Sequence, residues 1–222
     1  MMDVVIFGLG QLSKLAWYVL AHDSPHRVVG FTVHDEFMKE KEFMGLPVTP
    51  FERLADTQPP ERVGLLAPTG WKRMNAVRAG VFAAGKEQGY RFASYVASRA
   101  VVWPDLHIGE NCMVFDGALI QPFARVGDNC VIRSGVLISH DVVVGDHCFV
   151  AGNAVIAGNA RVGDSCVIGL SSTIRDDCRI ARRCFIGAGA VVVSDTEEGG
   201  VYLGVPARRS PGTVDDLAVA GG

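Results

Sequence analysis

The sequence has no apolar run of the 18 or more residues that a membrane-spanning helix requires, and no Cys-x-x-Cys pair to hold zinc. It also lacks an excess of either charge: 21 Lys and Arg against 24 Asp and Glu leave a formal −3 over 222 residues. Such a balance gives no reason to expect a nucleic-acid or membrane partner. The opening MMDVVIFGLG has no basic stretch ahead of its apolar residues and does not read as a secretory leader. The resulting expectation is a cytoplasmic protein.

What is present is regular. Six cysteines stand at 112, 130, 148, 166, 178 and 184, every gap a multiple of six. No disulfide framework requires that spacing, which instead predicts small, reduced core fillers at one phase of a repeat. In the frame they set, residues 96–191 divide into sixteen hexads without an insertion. The first position is always Val or Ile, the fifth is nearly always small, and the second is often Gly or Ala. A period of six is too long for a helix face and too strict for ordinary alternating strands. It predicts a β-solenoid with three short strands per 18-residue coil, the β-branched first positions pointing inward and stacking on one another.

Residues 1–94 read differently. DVVIFGLG, RVVGFTV, RVGLLAPT and RFASYV read as strands, and QLSKLAWYVLAH and WKRMNAVRAGVFAAGKEQG as helices. FMGLPVTPFERL reads as a hairpin-like stretch running into a short helix. This alternation predicts a small parallel α/β domain over 1–94, followed by the solenoid over 95–209. A flexible tail is expected over 210–222.

Within the hexad starting at Ile138, Ile138 and Val142 point inward, so His140 and Asp141 fall at a corner and outside. Such a pair is either solvated surface or a base with its carboxylate. A neutral imidazole accepts a proton near pH 7, and a carboxylate on its other nitrogen fixes the tautomer.

The uninterrupted hexads, His140-Asp141, Ala157-Gly158-Asn159 and Gly204-Val205-Pro206-Ala207-Arg208 resemble the hexapeptide-repeat acyltransferases. With a Rossmann-like domain in front, the chain is similar to bacterial sugar acyltransferases, namely sialic-acid O-acetyltransferases and N-acetyltransferases of nucleotide-linked amino sugars. The resemblance implies a left-handed parallel β-helix, a homotrimer, and acetyl-CoA in a groove between neighbouring prisms. It also implies direct transfer to the amine or hydroxyl of a nucleotide-linked sugar, with no metal. It gives His140 as general base, Asp141 as its partner, Gly158 lining the acetyl-CoA site and Arg208 on the coenzyme phosphates. Phe149 stands where some relatives have a second histidine that touches the coenzyme. Gly8-Leu9-Gly10-Gln11-Leu12-Ser13 replaces a Gly-Gly-His type turn in the nucleotide-sugar site. Val33-His34 stands where relatives that bind a uridine nucleotide carry acidic residues, leaving His34 as a substitute contact or a surface residue.

Thr69 and Gly70 read as a helix start that either binds a phosphate or simply caps, flanked by Trp71 and Arg73. His147 either lines a neighbouring groove or is solvated. His22, His26 and His107 read as structural or solvated. Transfer to a hydroxyl, or of formyl or another acyl group, stays open. Two readings lie outside the class. A γ-type carbonic anhydrase would need three histidines on one metal, yet His107, His140 and His147 occupy different hexad positions. A non-catalytic trimeric scaffold would leave the His140-Asp141 pair without a task.

Overall fold

Val4 and Ile6 point to one side of the first strand and Val5 and Phe7 to the other, and all four are buried. A strand apolar on both sides has to be covered on both. In the computed structural model, which describes residues 1–216, that strand is β1 (Asp3–Phe7). It is followed by α1 (Gln11–His22), β2 (Arg27–Val33), β3 (Glu42–Phe43), β4 (Leu46–Pro50), α2 (Leu54–Thr57), β5 (Val63–Leu66) and α3 (Ala76–Glu87). The sheet order is β3-β4-β2-β1-β5, parallel except for the short β3–β4 hairpin. Ala16 and Leu20 of α1 pack on one face of the sheet, and Leu54 of α2 with Val81 and Phe82 of α3 pack on the other.

The third helix is shorter than its sequence suggests. Arg73, Met74 and Asn75 take left-handed backbone angles, with φ of 51°, 51° and 66°. Three such residues in a row cannot continue a right-handed helix, so α3 begins at Ala76.

From Tyr95 the chain winds into a left-handed parallel β-helix with three faces. The first face runs through Tyr95–Val96, Met113–Val114, Val131–Ile132, Phe149–Val150, Val167–Ile168 and Phe185–Ile186. Strand Val201–Leu203 and the antiparallel Arg208–Arg209 complete it. The second runs from Leu119–Ile120 through Leu137–Ile138 to Val191–Val192, and the third from His107–Ile108 through Val143–Val144 to Arg179–Ile180. Pairing is offset by one coil throughout, as in Ile138↔Ile156, Val126↔Val144 and Val150↔Ile168. First-position residues from Val114 to Val192 are buried in one core with the six cysteines, which are all free thiols.

The corners explain the rest of the hexad. Every fourth-position residue from Asn111 to Gly189 has positive φ, a region that Gly, Asn and Asp enter at low cost. A Cβ on Gly109, Gly127 or Gly145 would overlap the carboxylate of Asp128, Asp146 or Asp164 in the next coil. Those carboxylates take the backbone N–H groups of Glu110, Asp128 and Asp146. Glycine and aspartate are therefore paired across coils at this corner.

Part of the expected flexible tail is held in place. The Ser210 N–H donates to Val201 O, and Val214 is fully buried against Met74, Val167 and Val201. An apolar side chain that reaches an uncovered apolar ridge gains by staying there. Residues 217–222 lie outside the described residues.

Candidate active site

The His140 corner joins the second and third faces. The Gln121 side-chain oxygen, one coil below, accepts the His140 backbone N–H at 2.9 Å. Asp141 occupies the left-handed turn position at φ 59°. Its Oδ2 lies 3.0 Å from His140 Nδ1. A carboxylate only accepts, so Nδ1 carries the hydrogen and the Nε2 lone pair is free. The two side chains are 62% and 54% exposed, and a pair that open to water adds little to stability.

One coil above, the glycine is required by the ring. A Cβ on Gly158 would lie 2.9 Å from both Cε1 and Nε2 of His140, closer than carbon atoms pack. The free nitrogen therefore faces bare backbone. Asp176 borders the same hollow from the far side, its Oδ1 3.3 Å from that Cβ position. Asn159 Nδ2 donates to Asp177 Oδ1 at 2.6 Å.

A second set of expected residues gathers at the carboxyl end of the parallel sheet, where ligands of open α/β sheets bind. Gly8 follows β1 with φ 103°, and an added Cβ would meet Ser13 Oγ at 2.8 Å. Gly10 precedes the first turn of α1, which carries Gln11 and Leu12 and has no acidic residue and no side-chain cap. A cleft of about 400 Å³ opens here, lined by Leu9, Gly10, Val33, Phe37, Lys39, Glu40 and Phe43. His34 does not line it. Its Nδ1 is 2.7 Å from Glu52 Oε1, and its ring packs edge-on against Phe7 and Phe51. Burial works to raise the Glu52 pKa, but the bonds from His34 and from backbone N–H groups outweigh it and hold the carboxyl below its ordinary value.

Thr69 and Gly70 do not open a helix, because the helix begins at Ala76. Their carbonyl oxygens instead accept Arg78 Nη1 at 3.1 and 2.8 Å. The Thr69 hydroxyl is buried and has no hydrogen-bond partner among the described residues. Trp71 leans on Phe185 of the prism, ring centroids 5.7 Å apart. Phe149 is half-buried on the first face, where it packs against the N-terminal unit and lines a small niche with Leu12, Pro68 and Arg133. Within one chain it is therefore not at the His140 corner. Arg208 is exposed near the far end of that face, and among the described residues its guanidinium donates only to Ala207 O.

Sequence reading passed over Arg78, which is fully buried and has no carboxylate partner among the described residues. Burial pulls its pKa below the ordinary arginine value. Its donors are met by carbonyls of Thr69, Gly70, Asn129, His147 and Cys148 and by Asn75 Oδ1. Asn75 Nδ2 reaches Ser165 O and Cys166 O in the next coil. A ladder runs beside them: Ala67 N–H to Asn111, Asn111 to Asn129, and Asn129 Nδ2 to His147 Nδ1. His147 thus belongs to the joint between the two units and is not solvated. The only hint in the sequence was a polar fourth position every 18 residues, at 111, 129, 147 and 165. Among the described residues no three His, Cys, Asp or Glu side chains converge to hold a metal, so His107, His140 and His147 form no such set. No described helix is long and apolar enough to cross a membrane.

The family model for the bacterial transferase hexapeptide (six repeats) matches residues 105–140 and 123–158. No curated protein is matched by sequence. Among solved structures, a histidine-to-asparagine mutant of perosamine N-acetyltransferase from Caulobacter crescentus, in complex with CoA and GDP-perosamine, is 24% identical. That match covers 95% of this chain and 97% of the other, with a TM-score of 0.85. The acetyltransferase domain of PglB from Neisseria gonorrhoeae, in complex with acetyl coenzyme A, is 20% identical over 94% of this chain and 99% of that one, TM-score 0.81. WeeI from Acinetobacter baumannii is 20% identical over 95% and 100%, TM-score 0.69. At this level of identity the likeness is one of fold, and it spans both units of the chain.

Proposed function

We propose that this hexapeptide-repeat protein, which shares its two-part fold with those sugar N-acetyltransferases, is an acetyl-CoA-dependent acetyltransferase acting on the amine of a nucleotide-linked amino sugar. The observation that carries the reading is the His140 corner: an imidazole held through Nδ1 by Asp141, its Nε2 free and facing the bare Gly158 backbone.

The chemistry follows from those groups. The amine attacks the thioester carbonyl, and His140 Nε2 removes its proton as the C–N bond forms. Asp141 stabilises the imidazolium produced. The C–S bond then breaks, and the proton on His140 is passed to the departing sulfur. A backbone N–H of the groove steadies the developing oxyanion. The missing side chain at Gly158 lets the thioester come against the main chain, while Phe149 and Arg208, on the first face of a neighbouring copy, serve the pantetheine and phosphates of acetyl-CoA.

The nucleotide occupies the cleft at the carboxyl end of the sheet, with the Gly8–Leu12 turn on its phosphates and Phe37 and Phe43 beside its base. The His140 corner joins the second and third faces, whereas the N-terminal unit packs on the first face and the corner beside it. One chain therefore does not bring base and nucleotide together, and a neighbouring copy in a homotrimer supplies the missing half. Residues 1–94 are the nucleotide-sugar unit and 95–209 the transferase unit.

The test is turnover of acetyl-CoA on a panel of nucleotide-linked 3-amino and 4-amino sugars, with both products measured by mass detection. His140→Asn is expected to lower kcat by about 10²- to 10⁴-fold on the accepted sugar, with an unchanged melting temperature. Turnover that survives the substitution removes His140 as the base.

A further inference from the structure

The His140 corner carries three carboxylates, and two of them are engaged. Asp141 receives His140 Nδ1–H, and Asp177 receives Asn159 Nδ2–H. Asp176 is exposed and takes no hydrogen bond or ion pair among the described residues. It is nonetheless aimed. Oδ1 of Asp176 and Nε2 of His140 lie 3.3 and 2.9 Å from the same point, the vacant Cβ position of Gly158. The base nitrogen and the free carboxylate therefore border one hollow and are no more than about 6 Å apart.

We propose that Asp176 is the residue that selects an amine acceptor over a hydroxyl, by holding the second N–H of the nucleophile while His140 holds the first. This rests on His140 being the base of the proposed transfer.

The geometry suits nitrogen. A tetrahedral amine that donates to two acceptors at about 2.9 Å each places them about 4.7 Å apart, inside the observed limit. Its third substituent is the sugar carbon, which leaves the lone pair as the fourth direction, free to meet the thioester carbonyl. As the C–N bond forms and the C–S bond breaks, one proton moves to His140 Nε2 and on to the sulfur. The other stays on the amide nitrogen, bonded to Asp176, which keeps its charge throughout. A hydroxyl has a single proton. With that proton on His140, an oxygen lone pair would face the Asp176 carboxylate, and acceptor against acceptor is repulsive.

Asp176 is exposed, so Asp176→Ala and Asp176→Asn leave the fold intact, as circular dichroism will verify. Each full-length variant is assayed with an amine-bearing nucleotide sugar and with the counterpart that has a hydroxyl in its place. The ratio of kcat/KM for amine over hydroxyl is expected to fall at least 30-fold in Asp176→Ala, and less in Asp176→Asn, which keeps an acceptor oxygen. The KM for acetyl-CoA should stay within twofold. A ratio within threefold of the unaltered protein overturns the proposal. So does a rise in the acetyl-CoA KM that matches the loss with amine, which assigns the carboxylate to the coenzyme.

Calorimetric binding of the two sugars in the presence of CoA decides the point without turnover. The preference for the amine should persist in His140→Asn and vanish in Asp176→Ala; a preference that survives in Asp176→Ala overturns the proposal. If the unaltered protein turns over neither sugar, the transferase reading fails by itself and the binding comparison still judges Asp176.

Discussion

At the scale of the residue, Gly158 separates what the fold needs from what the proposed chemistry needs. Its φ is not in the left-handed region, so alanine suits the backbone there. The added Cβ would nevertheless meet the His140 ring at 2.9 Å and, because that ring is exposed, push it aside. Gly158→Ala is therefore expected to lower kcat by about 10- to 100-fold through loss of the positioned base, with the melting temperature unchanged or slightly raised. Rates and thermal melts on one preparation check both halves. Full activity in that variant would mean that the ring works from another position. Asp141 does not separate so cleanly, since it serves the turn at φ 59° and the imidazole together.

At the scale of the element, two carboxylates fasten the N-terminal unit to the prism. Asp23, at the end of α1, accepts the Ser98 N–H and the Tyr95 hydroxyl at 2.9 and 2.8 Å, and these bonds hold its pKa below the ordinary carboxylate value. Glu110 accepts the Phe92 N–H and pairs with Lys86. Burial works to raise the Glu110 pKa, but Lys86 and the Phe92 N–H outweigh it and the net shift is downward. A carboxyl whose pKa is lower folded than unfolded binds its proton more weakly in the folded state. Its stabilisation is complete above the unfolded value, about 4, and is lost as pH falls through the lower folded value. The melting temperature is thus expected to be flat in these two groups above about pH 5 and to drop below about pH 4. Asp23→Asn should flatten part of that drop in melts between pH 3 and 7, and an unaltered acid limb would show that Asp23 does not contribute.

At the scale of the whole molecule, the proposed function makes assembly part of the site. If base and nucleotide loop come from different copies, chains damaged in each should complement one another. Gly10→Asp places a carboxylate at the start of α1, where no neighbouring atom opposes a side chain but a pyrophosphate would. Co-expressed Gly10→Asp and His140→Asn chains are expected to recover activity that neither has alone. The assembly should sediment at three times the 23.7 kDa chain mass. Failure to complement in a confirmed trimer would place both halves of the site in one chain.

The prism was legible because its rule is local. A coil returns to the same corner every 18 residues, so one misplaced side chain would break the pattern, and the cysteine spacing alone set the frame. His140 and Asp141 could be placed outside by the same rule, and Gly158 above them by adding one coil. The alternation of strands and helices in the first 94 residues was also periodic enough to read. The sequence did not reveal what depends on contacts between distant segments. Arg78 looks like any helix arginine until the first-face corner brings Asn129, His147 and Cys148 to it. The same network delays the start of the right-handed helix to Ala76 and turns the carbonyls of Thr69 and Gly70 inward. His34 turned to Glu52 for a similar reason, since only the packed sheet puts that carboxylate beside it. Short-range periodicity thus determined the coil, the core and which residues face out. Tertiary packing decided which outward groups meet, because a buried guanidinium or a free carboxylate is defined by neighbours that the chain order does not name.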